Sequence, residues 1–404
     1  MFDRLFHNAV DIHGDKLRLA VKDGRFVDIT LDNQSDNAHD VVDLEGRLVM
    51  PALVDGHIHL DKSFVGDAWQ PHVPANSLRD RLAAEKRLIA RAAPMTERAN
   101  ALIAQAAMFG TVAMRCHVDV DATTGLSHLH AVMEARSKWK HSIDIEIVAF
   151  PQAGVMSCPG TADLLDAAIL EGADVVGGID PTTFDGDAHG QLNVIFNIAE
   201  KRGVKLDIHL HEPGQLGIDQ LLRIADRTLA LGMIGRVSVS HAYALGEVPP
   251  DVVDRTAAAL AEAGISIMTN APGDRPFPPV LRLREAGVNV FAGNDNIRDA
   301  WWPYGNGDML QRANLIGYRS GFYTDSELLI ALDMATHAAA TVIGKHDYGL
   351  HGGNEATFLI LDAPNGAAAV AGVPNERVMV RRGEFLNSGH DLPGVKRKAW
   401  VATH

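Results

Sequence analysis

Residues 48–59 read LVMPALVDGHIH, an apolar run that ends in two histidines. The run over residues 48–54 is typical of one buried strand. Side chains at i and i+2 on a strand point to the same face, so His57 and His59 can bind one metal ion together. An isolated pair of this kind is a weak signal, because the remaining ligands must come from elsewhere in the fold.

Seven further apolar runs follow, and each ends in polar residues, as the first does. The eight runs end near His59, His117, Phe150, Asp180, Glu212, His241, Asn270 and Asp295. The segments between them carry helical periodicity, which predicts βα units and a parallel sheet. Eight units in about 250 residues is the length of a closed (β/α)8 TIM barrel. An open doubly wound sheet is the alternative, but no glycine-rich phosphate loop follows the first strand.

The two ends of the chain have a different pattern of short strands and turns. Residues 17–21 and 25–29 predict a hairpin, an Asn/Asp-rich stretch from Asp32 to Asp40 follows it, and residues 356–361 and 377–381 predict further strands. Neither end looks able to form a core by itself. We therefore predict a small β-sandwich domain built from residues 1–50 and 350–404, with the α/β barrel formed by residues 51–349.

The composition restricts the cellular compartment and the binding partners that can be expected. The 404 residues are 47% hydrophobic and 22% charged, as in soluble globular proteins, and the formal net charge is −14. Nucleic acid and anionic membranes both require a basic face, so neither is expected as a partner. No signal peptide or membrane span is evident, and the two cysteines, Cys116 and Cys158, suit a reducing compartment. We expect a cytoplasmic protein, and a homo-oligomer is left open.

The reactive side chains cluster at the predicted strand ends, where the chemistry of such barrels takes place. Strand one ends in His57 and His59, strand five in His209 and Glu212, strand six in His241 and strand eight in Asp295. Six such residues at one rim of the barrel are hard to explain by packing alone.

The motifs around these residues resemble those of the amidohydrolase superfamily and, within it, the cytosine deaminase-like branch. The resemblance covers nearly the whole chain, and it is carried by residues 54–62, 149–154, 207–212, 240–242 and 293–301. It implies that one divalent metal ion, Fe²⁺ or Zn²⁺, is bound by His57, His59, His209 and Asp295. Such a ligand set leaves the ion a net positive charge, which lowers the pKa of its bound water. Binuclear members use a bridging lysine from strand four, which is absent here, so a mononuclear site is expected.

The resemblance also implies roles in catalysis and binding. Glu212 would be the proton shuttle, and His241 would polarise the attacking water or stabilise the tetrahedral intermediate. Asp295 would take part in catalysis as well as in metal binding. Gln152 would read the cyclic amide of a ring through its donor and its acceptor, and Trp301 would stack on the ring.

Two departures from the family pattern concern the substrate. Cytosine deaminases commonly carry two successive aspartates on strand eight, where this chain has Asp295-Asn296. The pair Asp61-Lys62 resembles that of N-isopropylammelide hydrolases. We therefore expect Lys62 and Asn296 to be substrate-binding residues that influence which ring is bound.

The resulting prediction is an aminohydrolase that deaminates a cytosine-like ring, such as cytosine, 5-methylcytosine or isocytosine. A metal-bound hydroxide would attack the ring and release ammonia. The alternatives are an s-triazine hydrolase that releases an alkylamine, and a hydrolase of cyclic amides or ureides. A catalytically silent scaffold is a remote alternative, because no metal ligand is missing.

Overall fold

The computed structural model describes residues 1–30, 38–72, 74, 78–273, 275–386 and 396–399. Most of the Asn/Asp-rich stretch and part of the predicted C-terminal segment lie outside these residues. The chain divides into two compact units. One comprises Met1–Val54, Ala107–Val112 and Asp308–His404, and the other comprises Asp55–Ala106 and Ala113–Gly307. The predicted domain boundaries at residues 50 and 350 stay a prediction.

The predicted barrel is confirmed as a sheet of eight parallel strands in sequential order. All eight apolar runs form strands, and most of their residues are buried. These strands are β6 (Leu53–Ile58), β7 (Thr111–Asp119), β8 (Asp144–Phe150), β9 (Val175–Ile179), β10 (Lys205–Leu210), β11 (Val237–His241), β12 (Ser266–Thr269) and β13 (Val290–Ala292).

The first and last strands of this sheet meet where the candidate ligands lie. The Asp295 amide donates to the His57 carbonyl at 2.7 Å, and Ile58 and Asp295 form a parallel bridge. Gly293 permits this approach, because a Cβ there would lie 2.5 Å from the Cβ of His57. The barrel therefore closes through the segments that carry His57 and Asp295.

Helices alternate with the barrel strands, as the periodicity predicts. Helix α5 begins after Asp187, whose side chain accepts from the Gly190 amide, and it ends at Gly203 in the left-handed conformation. The helices are α1 (Leu78–Ile89), α2 (Met95–Met108), α3 (Ser127–Trp139), α4 (Thr161–Glu171), α5 (Ala188–Arg202), α6 (Gly214–Ala230), α7 (Pro250–Glu262) and α8 (Val280–Glu285). A 3₁₀ turn over Tyr243–Gly246 follows β11.

The second sheet is built from both ends of the chain, as predicted. Strand β14 pairs with β5 and β15, while β4 lies beside β1 and pairs with β17. Its apolar side includes Phe6, Phe26 and Phe358, and the Phe358 ring contacts the other two. The strands are β1 (Phe2–Val10), β2 (Lys16–Lys22), β3 (Arg25–Thr30), β4 (Ala38–Asp43), β5 (Leu48–Pro51), β14 (Phe358–Leu361), β15 (Arg377–Arg381), β16 (Glu384–Phe385) and β17 (Lys396–Ala399).

The expectation of one strand over residues 48–54 is wrong. Strand β5 ends at Pro51, β6 begins at Leu53, and the two belong to different sheets. Proline has no amide hydrogen and is therefore restricted to strand ends and edges. The apolar run is continuous because both short strands are buried.

Four helices complete the described chain, namely α9 (Met309–Ser320), α10 (Asp325–Met334), α11 (His337–Ile343) and α12 (Gly366–Gly372). Segment Asp325–Ile343 is apolar and long enough to cross a membrane by length and composition alone. Half of that apolar window is buried, and the segment is interrupted between α10 and α11, so it is weak evidence for a membrane span.

Candidate active site

Four side chains from three strand ends converge on one point of the barrel rim. His57 lies in β6, His59 just beyond it, His209 in β10 and Asp295 beyond β13, and all four are buried. One ligand atom from each lies within 4.8 Å of the others. The Nε2 atoms of His57 and His59 are 3.3 Å apart, and Asp295 Oδ1 lies 3.4 Å from each. The structure thus brings the four predicted metal ligands together.

These donors fit a divalent cation. Burial lowers the pKa of His59 to about 4 and that of His209 well below its ordinary value, so both rings are neutral at pH 7. Both ring nitrogens of His209 and Nδ1 of His59 are buried with no hydrogen-bond partner among the described residues. Three neutral imidazoles and one carboxylate are the donor set that zinc or ferrous iron accepts. The cluster can therefore hold one such ion.

A hydrogen-bonded relay orients His57. Ser240 Oγ donates to Asp207 Oδ1 at 2.8 Å, so it accepts from the Nδ1–H of His57 at 2.9 Å. This bond fixes the tautomer of His57 and leaves its Nε2 lone pair directed at the cluster. Such a partner beyond the ligand shell orients a ligating histidine and raises its basicity.

Asp207 is itself held in a buried network below the rim. Burial raises its pKa, but His117 and Arg115 outweigh that effect and keep the pKa well below the ordinary value. Arg115 donates to Asp207 at 2.8 Å and to Glu146 at 2.6 Å, while the His117 ring stacks on His57 at 3.8 Å. Sequence reasoning missed this network. His117 ends a predicted strand, and Asp207 and Ser240 lie in stretches that carry the family resemblance, but no role was predicted for any of the three.

Several residues at this rim have a strained backbone. Asp180, His241 and Asp295 have φ values of 30°, 75° and 60°, a region that residues other than glycine rarely adopt. Such strain concentrates at functional sites. The carboxylate of Asp295 is also fixed, because Asn270 Nδ2 donates to its Oδ2 at 2.9 Å and leaves Oδ1 for the cluster.

Glu212 is buried, and its carboxylate is hydrogen-bonded to the segment that follows β9. Its Oε1 accepts from the backbone amides of Thr182 and Thr183 at 2.7 and 2.6 Å. Its Oε2 is buried with no hydrogen-bond partner among the described residues, and burial raises its pKa. One oxygen of the predicted proton shuttle is therefore anchored, and the other is available.

His211 lies two residues after His209, at the same side of the extended chain. Its ring stacks on His241 at 4.5 Å, and its Nδ1 is 2.7 Å from Asp180 Oδ2. Although burial opposes it, the Asp180 carboxylate raises the pKa of His211. The sequence did carry a signal for His211, because it belongs to the stretch of residues 207–212 that carries the family resemblance.

His241 lies at the end of β11, where it is also close to the predicted metal ligands. Its ring is buried 5.0 Å from that of His209, and its Nδ1 lies 3.3 Å from the Tyr243 hydroxyl. Burial lowers its pKa well below the ordinary value. The structure thus places His241 beside the metal cluster as a neutral imidazole.

A second buried cluster surrounds Lys62. Its Nζ donates to Gln152 Oε1 and lies 3.0 Å from Asp119 Oδ1 and 3.9 Å from Glu85 Oε1. Burial opposes the charge of Lys62, but Asp119 and Glu85 raise its pKa, so the ammonium stays charged. We call Lys62, Glu85, Asp119 and Gln152 the lysine cluster. Two predicted binding residues, Lys62 and Gln152, are in direct contact there.

Trp301 joins this cluster and Asn296 does not. The Trp301 indole donates to Glu85 Oε1 at 2.8 Å, and its ring lies 5.8 Å from Lys62 Nζ. The Asn296 amide instead donates to Asp299 at 2.5 Å. Glu85 and Asp119 were not predicted as site residues, although Asp119 follows His117 on the same face of β7.

A cavity of about 340 Å³ lies beside the lysine cluster. Its wall combines apolar side chains with hydroxyl and charged groups, including Leu82, Ile89, Ser127, Lys86, Asp119 and Gln152. Among the cavities found in the described part of the chain, this one has room for a small heterocycle or its substituent.

Comparison with known proteins gives consistent matches. Residues 40–384 match the amidohydrolase family. The chain is 32% identical to N-isopropylammelide isopropyl amidohydrolase of Pseudomonas sp. (strain ADP), with 86% of this chain and 88% of that protein covered.

Two solved structures are similar over nearly the whole chain. N-isopropylammelide isopropylaminohydrolase from Burkholderia multivorans is 39% identical with a TM-score of 0.89, covering 96% of this chain and 98% of that chain. The 5-methylcytosine deaminase from Klebsiella pneumoniae, liganded with 5-fluorocytosine, is 28% identical with a TM-score of 0.85, covering 95% and 97%.

Proposed function

We propose, since the chain belongs to the amidohydrolase family and is thus a hydrolase of carbon–nitrogen bonds, that it removes an exocyclic amine from a six-membered nitrogen heterocycle. Water supplies the oxygen, the ring carbon exchanges its C–N bond for a C–O bond, and the amine leaves with the proton of the water. The convergence of His57, His59, His209 and Asp295 within 4.8 Å is the observation that carries this proposal.

These four residues would hold one divalent ion. When bound, that ion supplies a water whose pKa is lowered toward neutrality and a positive charge next to the reacting carbon. The relay from His57 through Ser240 to Asp207 keeps the first ligand in its metal-binding tautomer. Asn270 holds Asp295 so that one carboxylate oxygen faces the cluster.

Proton transfer in this proposal belongs to Glu212. One of its oxygens is fixed by the amides of Thr182 and Thr183, which leaves the other free to take and deliver a proton. His211, fixed by Asp180, lies against His241 and is the competing residue for that role. His241 would polarise the attacking water or stabilise the tetrahedral intermediate.

Two ring classes are candidates for the substrate. A pyrimidine such as cytosine is supported by the likeness to the 5-methylcytosine deaminase. An s-triazine that loses an alkylamine is supported by the likeness to the two N-isopropylammelide hydrolases and by Lys62, which contacts Gln152. Both ring classes are therefore included in the test.

The test is a metal-dependent assay of amine release. Purified protein is stripped of metal with a chelator and reloaded separately with Zn²⁺, Fe²⁺ or Mn²⁺. Ammonia or alkylamine is then measured with cytosine, 5-methylcytosine, isocytosine, ammelide and N-isopropylammelide as substrates. We expect turnover of at least one ring with reloaded protein and none with stripped protein.

Two other results would point to different functions. Turnover of none of these rings together with opening of a cyclic ureide would replace the proposal with an amide-ring hydrolase. Stripped and reloaded proteins that are equally inactive, with negligible metal in the purified chain, would favour the silent scaffold.

A further inference from the structure

We infer that Lys62 fixes the orientation of the Gln152 carboxamide, so that Gln152 presents only hydrogen-bond donors to the ligand. The site would then select an oxo-substituted amino-heterocycle whose amide edge has lost its proton. This inference rests on the proposed function, because it assumes that Gln152 meets the ring.

The contact between the two side chains determines which way the amide points. An ammonium group carries three donors and no acceptor, so the atom of Gln152 that faces Lys62 Nζ must be the oxygen Oε1. The opposite rotamer would set the NH₂ group against the ammonium. Nε2 therefore points elsewhere, and no described residue accepts a hydrogen bond from it.

Lys62 cannot easily move away from this contact. Its side chain is 1% exposed, Asp119 Oδ1 lies 3.0 Å from its Nζ, and the Phe150 ring lies 5.4 Å away. Its ammonium group is held by the oxygen of Gln152 and by the carboxylate of Asp119. Lys62 is thus a positioning residue that acts through Gln152.

The orientation of the Gln152 amide determines which protonation state of the ring it can bind. A neutral amide edge, O=C–N–H, offers one acceptor and one donor, and its N–H would face the NH₂ of Gln152 without an acceptor. A buried donor left unpaired weakens binding by roughly tenfold or more. A ring that ionises near neutral pH offers an oxygen beside a bare nitrogen, and both can accept from Gln152.

Binding of two matched rings tests this inference without turnover. The probes are 6-azauracil, which loses a ring N–H proton near neutral pH, and uracil, which retains both N–H protons. Titration calorimetry at pH 8 uses the zinc-loaded full chain. We expect 6-azauracil to bind at least about tenfold more tightly than uracil.

Variants separate amide orientation from simple charge attraction. Lys62→Met frees the amide to rotate, so uracil should bind about tenfold more tightly than it does to the unmodified chain. Lys86→Met is the matched control, since Lys86 lines the same cavity and contacts Thr123 rather than Gln152. It should leave the binding of uncharged uracil unchanged.

Gln152→Glu gives a second route that leaves Lys62 and its carboxylates in place, in case Lys62→Met does not fold. A carboxylate in this position only accepts, so the preference should reverse in favour of uracil.

The inference is overturned by a wild-type chain that binds uracil as tightly as 6-azauracil or binds neither. It is equally overturned by a Lys86→Met variant that gains uracil affinity, or by a Gln152→Glu variant that keeps the original preference. Amine release by the unmodified chain is scored separately, so loss of the proposed function is distinguishable from loss of this inference.

Discussion

The metal cluster and the lysine cluster are both buried at the barrel rim, yet they differ in how their polar atoms are satisfied. The metal cluster consists of three imidazole rings and one carboxylate whose ligand atoms face one another, and several of its nitrogens have no hydrogen-bond partner among the described residues. In the lysine cluster a charged ammonium is surrounded by an amide oxygen and two carboxyl groups.

This difference assigns the two clusters different parts in one reaction. Buried acceptors that face one another are costly unless a cation lies between them, so the first cluster is incomplete by itself. In the second cluster the ammonium of Lys62 already lies between carboxyl groups of this chain, which suits a surface that reads a ligand's shape and hydrogen bonds. Substitutions in the metal cluster should therefore abolish catalysis, whereas substitutions in the lysine cluster should alter substrate selectivity.

The largest effect is expected from Asp295→Asn. The substitution removes the single negative charge among the four predicted ligands and should lower both metal occupancy and amine release, the latter by about 10³-fold or more. Metal analysis and kcat/KM with the best substrate measure the two effects. Full occupancy with normal turnover would show that Asp295 is not needed in the metal cluster.

Glu212→Gln should retain metal and lose about 10²-fold in kcat, as expected when an acid–base group is removed. His211→Asn is the comparison variant, because its ring lies at the same rim and is the competing proton carrier. Steady-state kinetics at saturating metal decide between the two residues. A larger loss in kcat for His211→Asn than for Glu212→Gln would transfer the role of proton shuttle to His211.

Ser240→Ala breaks the relay that orients His57 without removing a ligand. Loss of such an outer partner typically weakens metal binding by about 10- to 100-fold. Competition with a chromophoric chelator measures the affinity. Ser238→Ala is a useful control, since Ser238 also contacts Asp207 at 2.9 Å but does not touch His57. Equal metal affinities in the two variants would refute the relay.

The smallest effect concerns stability in the lysine cluster. Burial raises the pKa of Glu85 from 4.5 to about 8, and Lys62 only partly opposes this. The folded chain therefore binds the proton more tightly than the unfolded chain does, and stability must fall as pH rises from about 4.5 to about 8. Glu85→Gln should flatten this pH dependence, because glutamine does not ionise. Urea unfolding at several pH values measures it, and an unchanged slope would mean that Glu85 ionises normally.

Much of the barrel could be predicted from the sequence because each strand is a compact apolar run followed by polar residues. The exception, Pro51, shows the limit of that pattern: burial on both sides made two strands in different sheets look like one. Hydrophobicity reports burial, and only the missing amide hydrogen of proline marks the change of sheet.

The candidate site was predictable where spacing and motif coincide, as for His57, His59, His209 and Asp295. The supporting roles of Ser240 and Asp207 were not, because no motif assigns them a function and their hydrogen bonds form only between assembled strands. The orientation of the Gln152 side chain also could not be predicted from the sequence. It depends on Lys62, 90 residues earlier in the chain, which reaches the amide only in the folded barrel.

The central claim is that the four converging side chains hold one divalent ion, and metal content by mass spectrometry tests it most directly. The full chain should contain one divalent ion per molecule after purification with added zinc or iron, and the Asp295→Asn variant should contain far less. Less than about a tenth of an ion in the unmodified chain would contradict the claim. So would a second stoichiometric ion, which would require another group, such as Asp61, Asp119 and His128, to bind metal.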